Sequence, residues 1–127
     1  MNFLECKISS VEGRFKQSNN INEISRNKYL NYGYYDTLYG LCFPKVIIIY
    51  KREYYVFDNG LRVTLDKDIE YYKYNEPFKK QKNYQIVMEV KNTVKVCSNI
   101  ILKEFPFIKI RFSKFAIAIQ KLYNKVY

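Results

Sequence analysis

The sequence predicts an α+β fold in which antiparallel strands are followed by a C-terminal helix. Polar and apolar residues alternate in several segments, which is typical of strands with one buried face. Asp58-Asn59-Gly60 lies between two long runs of β-branched and aromatic residues, which indicates an antiparallel hairpin. Near the C terminus, Phe115, Ile119 and Leu122 recur at helical spacing.

The first predicted strand covers residues 3–8, and a second, over residues 13–17, follows a turn at Gly13. In the first strand, Glu5 and Lys7 share one face and Leu4, Cys6 and Ile8 the other. In the second, Arg14 and Lys16 lie on one side. Residues 18–42 carry a weak helical pattern that Asn31 and Gly33 end.

The central hairpin, residues 45–57 and 61–66, allows two registers. If Asn59-Gly60 alone forms the loop, Phe57 opposes Arg62, and Arg52 and Arg62 lie on opposite faces. A three-residue loop with Gly60 left-handed makes Phe57 oppose Leu61 and puts both arginines on one face, and we favour it. It places Tyr50, Arg52, Tyr54, Arg62, Thr64 and Asp66 on a polar, cationic face, and Ile47, Ile49, Tyr55, Phe57, Leu61, Val63 and Leu65 on a core face.

Residues 71–84 are rich in lysine and contain Pro77, which predicts a surface loop. Residues 85–91 alternate again, with Ile86, Met88 and Val90 on the apolar face and Val87, Glu89 and Lys91 on the other. The spacing of Val94, Cys97 and Ile101 suggests a helix within residues 93–102. Ser113 is the predicted N-cap of the last helix, with Lys114 in its first turn.

The composition excludes several classes of protein. A chain of 127 residues suffices for one domain, and its formal charge of +10 favours polyanionic partners. The absence of histidine excludes histidine-based acid–base catalysis and His–Cys metal sites. Three scattered cysteines fit reduced thiols in a cytoplasmic protein. We see no signal peptide, and the longest apolar run is too short to be a transmembrane segment.

Charged residues recur on one face of the predicted strands, and two interpretations remain open. One is a sheet with a face in water, in which Arg52 pairs with Asp66 and Glu89 neutralises Lys91 or Arg62. The other is a barrel with a cation-lined interior that holds a phosphate chain. A carboxylate beside phosphate needs a divalent metal between them, and Glu89 is the first candidate ligand, with Glu5 the second.

The runs YKREYYVFDNGLRVTLDKDI, VMEVK and RFSKF, with LECK near the start, resemble the vacuolar transporter chaperone (VTC) domain of the triphosphate tunnel, or CYTH-like, superfamily. The resemblance implies an antiparallel tunnel of eight strands with helices outside. It also implies a polyphosphate polymerase, which transfers the γ-phosphate of ATP to polyphosphate with a divalent metal, typically manganese, or magnesium.

The resemblance extends to single residues. Lys7 matches the lysine of the family's LExK strand. Arg52 matches the second basic residue of the family's Y-R-R-x-x-Y motif, in which Lys51 replaces the first arginine. Arg62 matches the arginine of the R-V-T-x-D strand. It implies catalytic contacts to phosphate for Arg52, Arg62, Lys7 and Lys114, phosphate binding for Arg14, Lys16, Lys91, Arg111 and Ser113, and metal binding for Glu89 and Glu5.

The family begins with three further strands, carrying E-x-K-Y, Y-x-D and R-x-R motifs, that have no match here. We therefore expect residues 1–127 to form a partial VTC-like domain with about five of the eight strands, joined in one curved antiparallel sheet. Such a chain is not expected to be catalytically active alone. The sequence leaves open whether the missing strands lie on a separate chain, which would then be a partner, were lost by truncation or are replaced by a second copy. One alternative is a non-catalytic polyanion-binding module. Another is a protein that binds single-stranded nucleic acid, which is less favoured because the sequence contains no RNA-binding motif.

Overall fold

The computed structural model describes residues 1–11, 13–92, 101 and 103–124. The chain divides into two compact units, Met1–Pro44 and Lys45–Tyr127. The predicted helix within residues 93–102 lies almost entirely outside the described residues. Each unit is described by itself below.

The first unit combines two small hairpins with one helix. Strands β1 (Asn2–Ser10) and β2 (Gly13–Ile21) pair antiparallel, with Lys7 opposite Lys16 and Ser9 opposite Arg14. Opposed residues project to the same side of a sheet, so the predicted grouping of Lys7, Arg14 and Lys16 on one face is confirmed. Helix α1 (Glu23–Tyr32) and the short strands β3 (Tyr34–Asp36) and β4 (Gly40–Cys42) complete the unit.

Local sequence explains where α1 begins and ends. The Oδ1 atom of Asn22 accepts a hydrogen bond from Ser25 N at 2.7 Å, which satisfies one of the unpaired donors of the first turn. Gly33 has φ of 88°, a conformation that glycine adopts at little cost, and its N–H donates to Tyr29 O at 2.9 Å. The helix predicted from the weak pattern before Gly33 is therefore confirmed.

The second unit is built on a four-stranded antiparallel sheet with β6 (Leu61–Lys73) at its centre. Strand β5 (Val46–Val56) pairs along one edge of β6. Strands β7 (Glu76–Asn83) and β8 (Val87–Asn92) pair with the two halves of the other edge. Helix α2 (Lys114–Tyr123) packs on β5 and β6.

The favoured register of the central hairpin is confirmed. Val56 lies opposite Arg62, and the N–H of Phe57 donates to Leu61 O at 2.9 Å, which leaves a three-residue loop. Gly60 has φ of 84°, as the loop requires. Arg52 lies opposite Asp66, so Arg52 and Arg62 share one face of the hairpin.

A β-bulge on β6 changes the alternation beyond Asp66. Ile49 lies opposite Glu70 while Lys51 lies opposite Lys67, so β6 has one more residue than β5 in this interval. Asp68, within the bulge, has φ of 52°. The extra residue places Ile69 on the face that carries Asp66, whereas strict alternation would have put it on the opposite face.

The core beneath α2 lies on this same face. This corrects the prediction that one face of the hairpin is polar and the other forms the core. Ile69, Tyr71 and Ala118 are buried, and the partly buried residues packed on them are Val46, Ile48, Val87, Phe112, Ile117 and Leu122. On the predicted core face Leu61 and Val63 are buried, but Ile49, Tyr55 and Phe57 are exposed. The prediction failed because α2 covers the opposite face, where the bulge brings Ile69 and Tyr71.

Two further predictions are wrong. The described residues contain eight strands in three separate sheets, not five strands in one curved sheet, and none of these sheets closes into a barrel. Residues 71–84 are not a loop: they contain the end of β6, a two-residue turn and β7, whose backbone pairing with β6 leaves its lysines in water. The α+β class and the C-terminal helix, with Ser113 as its N-cap, are confirmed, while a tunnel stays a prediction.

Candidate functional site

Six charged residues of the second unit share one side of the sheet, which we call the cationic face: Arg52, Arg62, Asp66, Glu89, Lys91 and Lys114. Strand pairing places Arg52 opposite Asp66 and Arg62 opposite Lys91. Lys114 comes from the first turn of α2 and contacts Asp66 from above the sheet. Four of the six residues are cations.

Asp66 is the centre of the cationic face and is only 1% exposed. Arg52 donates from Nε and Nη2 to its two carboxylate oxygens at 2.6 and 2.7 Å. The Nζ atom of Lys114 lies 2.5 Å from Oδ2 of the same carboxylate. Burial raises the pKa of Asp66, but the hydrogen bonds from Arg52 and Lys114 outweigh it, so its pKa lies below the ordinary value.

Two tyrosine rings of β5 hold the cations from the side. The Tyr50 ring centroid lies 4.7 Å from Lys114 Nζ and 5.1 Å from Arg52 Cζ. The Tyr54 ring lies 5.9 Å from the same guanidinium. Cation–π contact at these distances is attractive, and the hydrogen bond to Asp66 raises the pKa of Arg52 further above its ordinary value. Arg52 and Lys114 are thus held in place by Asp66 and by the Tyr50 ring.

Towards the hairpin loop the cationic face is more open. Lys91 Nζ lies 3.4 Å from Glu89 Oε1, and both side chains are about half exposed. Arg62 is exposed and has no ion-pair partner within the part of the chain that the structure describes. Between these residues, Thr64 lies opposite Glu89, and its Oγ1 is buried without a hydrogen-bond partner among the described residues. Arg62 is therefore available to an incoming anion.

The residues before α2 were also predicted to bind phosphate. Ser113 caps the helix, because its Oγ accepts a hydrogen bond from Ala116 N at 3.3 Å. Arg111 precedes the cap and is exposed. The cap explains why Lys114 falls in the first turn, where its side chain reaches Asp66.

The first unit has a basic patch of its own on the β1–β2 hairpin. Lys16 Nζ lies 2.7 Å from Glu5 Oε1, and Ser18 donates to the same oxygen at 3.4 Å. The hydrogen bond from Lys16 lowers the pKa of Glu5. Lys7 lies directly opposite Lys16, and Arg14 is exposed on the same face. Three of the predicted phosphate-contacting cations therefore lie together in this unit.

A comparison with known protein families identifies the family of the chain. The family model of the VTC domain matches residues 2–123 of the chain. The chain belongs to the VTC domain family. No curated protein and no solved structure matches it. Of the helices that the structure describes, none combines the length and the apolar character needed to cross a membrane.

Sequence reasoning found most of the cationic face of this VTC domain but missed one contact. The Arg52–Asp66 and Lys91–Glu89 pairs were both foreseen as structural alternatives, although Asp66 is buried rather than at the surface. The contact between Lys114 and Asp66 was missed. Alternation had already placed Asp66 on the face of Arg62, but no pattern in the chain indicates that α2 brings Lys114 to it.

The sequence predicted that Glu89 and Glu5 bind a divalent metal ion. Within the described residues no three Cys, Asp or Glu side chains come together to hold a metal ion. The carboxylates of Asp66 and Glu5 are each bound to cations. The described residues therefore do not offer a metal ion a full set of protein ligands. The half-exposed Glu89 fits a single ligand to an ion that takes its other ligands from phosphate.

Proposed function

We propose that this VTC domain acts as a polyphosphate polymerase-type domain, which holds ATP or triphosphate and polyphosphate on its cationic face. The observation that carries the proposal is the pair formed by Arg52 and Lys114, fixed side by side on the buried Asp66 with Arg62 and Lys91 farther along the same face. A phosphate chain carries a negative charge on every unit, so it needs several fixed cations rather than one.

The proposed reaction needs no nucleophile from the protein. A terminal phosphate oxygen of the growing chain bonds to the γ-phosphorus of ATP, while the bond from that phosphorus to the β-phosphate oxygen breaks and ADP leaves. Arg52, Arg62 and Lys114 would hold the reacting groups in line and offset the charge on the transferred group. A bound Mn²⁺ or Mg²⁺, with Glu89 as its protein ligand, would supply further charge neutralisation.

On the second unit, further phosphate contacts are proposed for Lys91, Arg111 and Ser113. On the first unit, phosphate contacts are proposed for Lys7, Arg14 and Lys16. They remain proposals for this chain. We expect the 127-residue chain alone to bind triphosphate weakly, with strong salt dependence, and to make no polyphosphate. Without a closed barrel among the described residues, water screens the cations, and contacts weaken by up to about fourfold.

A non-catalytic polyanion-binding module is the second candidate. It is favoured by one observation, namely that Asp66 already binds both Arg52 and Lys114. Such a module would use the remaining cationic charge for attraction and would transfer no phosphate. Formation of polyphosphate from ATP and manganese, by this chain or by this chain with a partner that supplies further strands, separates the two candidates.

The first experiment is a calorimetric titration with sodium tripolyphosphate at low and at high salt. The matched variants are Arg62→Gln on the cationic face and Lys51→Gln, which removes the same charge from the opposite face of β5. Arg62→Gln should lower the affinity severalfold and reduce its salt dependence, while Lys51→Gln should change it little. Equal effects of both variants would mean that net charge alone attracts the anion. Stronger competition by single-stranded RNA than by tripolyphosphate would favour nucleic-acid binding instead.

A further inference from the structure

Asp66 holds an unusual position, because a single buried carboxylate joins three elements of the second unit. It comes from β6, receives Arg52 from β5 and receives Lys114 from α2. A carboxylate in the middle of a face meant for anions should repel phosphate. Its burial and its two cation partners therefore need an explanation that the proposed function does not contain.

The N–H donors of Arg52 and Lys114 that Asp66 does not use suggest that explanation. Arginine has five N–H groups, and Asp66 occupies Nε–H and one hydrogen of Nη2, so both hydrogens of Nη1 and one of Nη2 remain. Lysine has three N–H groups, and the contact with Asp66 occupies one of them. Two cations around one carboxylate keep a net positive charge. Asp66 therefore does not exhaust the hydrogen-bonding capacity of its partners.

The same contacts fix the spacing of the two cations. Both lie against the Tyr50 ring, at 4.7 Å for Lys114 Nζ and 5.1 Å for Arg52 Cζ. Two like charges this close repel each other unless an anion lies between them. Without Asp66 the two long side chains would separate and adopt many rotamers, and binding a ligand would have to order them again.

We propose that Asp66 is a positioning residue, which holds Arg52 and Lys114 side by side so that both contact one phosphate group of the bound chain. The proposal rests on the phosphate-binding function proposed above. In this role the carboxylate stays bound to Arg52 Nε when phosphate arrives. The alternative is that Asp66 only neutralises the cations and weakens anion binding.

The two roles predict opposite signs for Asp66→Asn, which removes one negative charge with little change of shape. If Asp66 only neutralises, tripolyphosphate should bind this variant more tightly. If it positions, affinity should fall about tenfold despite the added positive charge. Asp68→Asn is the matched control, because Asp68 is exposed, pairs with Lys51 and has a left-handed conformation that asparagine tolerates. It should leave affinity unchanged or slightly raised.

Calorimetric titration of tripolyphosphate at low salt into the wild type and both variants gives the first result. Affinity of Asp66→Asn equal to or above that of Asp68→Asn overturns the positioning role. If the wild type shows no saturable binding of tripolyphosphate, the proposed function, on which this inference rests, is overturned instead. The two failures are therefore distinguishable.

A second measurement uses the wild type, so it holds even if Asp66→Asn fails to fold. Arginine side-chain ¹⁵N NMR, with Arg52 assigned from the Arg52→Lys spectrum, follows the Nε–H signal during titration with tripolyphosphate. A signal that stays at its paired position while the Nη signals shift supports the positioning role. A shift of Nε–H to the position of an unpaired arginine would show that phosphate displaces Asp66, and would overturn it.

Discussion

Arg52 and Asp66 lie directly opposite each other on β5 and β6 and form a two-point hydrogen-bonded ion pair at 2.6 and 2.7 Å. Because Asp66 is buried, water does not compete for its oxygens, and each charged hydrogen bond contributes about 1.5–3 kcal/mol to the free energy of unfolding. Arg52, which is proposed to hold phosphate, therefore also stabilises the sheet.

Replacing Arg52 by Met should lower the free energy of unfolding by about 3 kcal/mol. Asp66 would keep Lys114 as a partner but lose both bonds to β5. Urea denaturation followed by circular dichroism measures this loss. The control is Arg62→Met on the same face, where the exposed side chain should contribute within about 0.5 kcal/mol. Similar losses for both variants would show that the Arg52–Asp66 pair adds no special stability.

Acid should destabilise the second unit through Asp66. Its pKa is lower in the folded protein than in the unfolded chain, where an aspartate has a pKa of about 3.9. The stabilisation is therefore complete above about pH 4 and is lost as the pH falls towards the folded value. Urea denaturation at several pH values should show a shallower acid loss for Asp66→Asn than for the wild type. If the free energy of unfolding falls equally steeply with pH in both proteins, the lowered pKa of Asp66 is contradicted.

The sequence contains the local information that determined the hairpin loop and the helix ends. Gly60 and the three-residue loop fixed the register, and Ser113 and Asn22 marked the starts of α2 and α1. The bulge at Asp68 could not be predicted, because it exists only in the pairing of β6 with β5 and no local sequence pattern marks it. Leu61 and Val63 of the predicted core face are buried, but simple alternation gave no indication that Ile69 and Tyr71 form the core beneath α2.

The candidate site was predictable to the same extent. Alternation within β5, β6 and β8 put Arg52, Arg62 and Glu89 on one face, as strand pairing requires. Which cation contacts which carboxylate depends on where α2 packs, and no pattern in the chain states that. Lysine-rich β7 was missed for a related reason, since its backbone pairing with β6 is invisible in its side chains.

Gly60 should tolerate asparagine better than alanine. At φ of 84° an L-residue with a Cβ is strained, and Gly60→Ala should cost about 1–2 kcal/mol of stability. Asparagine adopts left-handed conformations more readily, so Gly60→Asn should cost less. Thermal melting of the two variants beside the wild type provides the comparison. A more stable Gly60→Ala would mean that the loop changes its conformation in solution.

Thr64 offers a test of the buried hydroxyl beneath the cationic face. Its Oγ1 lacks a hydrogen-bond partner among the described residues, and an unsatisfied buried hydroxyl costs about 1–3 kcal/mol. Thr64→Val should therefore raise the free energy of unfolding by about 1 kcal/mol, whereas Thr64→Ser, which keeps the hydroxyl, should not raise it. Chemical denaturation of both variants measures the difference. A loss of stability in Thr64→Val would indicate that the hydroxyl is hydrogen-bonded in solution.

Glu89 should act as a metal ligand only when phosphate is present, because no group of carboxylates in the described part of the chain offers an ion several ligands. Tripolyphosphate with Mn²⁺ would bring oxygen ligands of its own, and Glu89 would add one more. Manganese should therefore raise the affinity of the wild type for tripolyphosphate severalfold and should do so much less for Glu89→Gln.

The control for this last prediction is Glu5→Gln, since Glu5 is already bound by Lys16 at 2.7 Å and should contribute little to metal binding. Calorimetric titrations of tripolyphosphate with and without Mn²⁺, with a melting curve for each variant, measure both effects. In the absence of metal, Glu89→Gln should bind tripolyphosphate slightly more tightly, because it frees Lys91 and removes a negative charge. If Glu89→Gln instead lowers the melting temperature and leaves the manganese effect intact, Glu89 is only a counter-charge to Lys91.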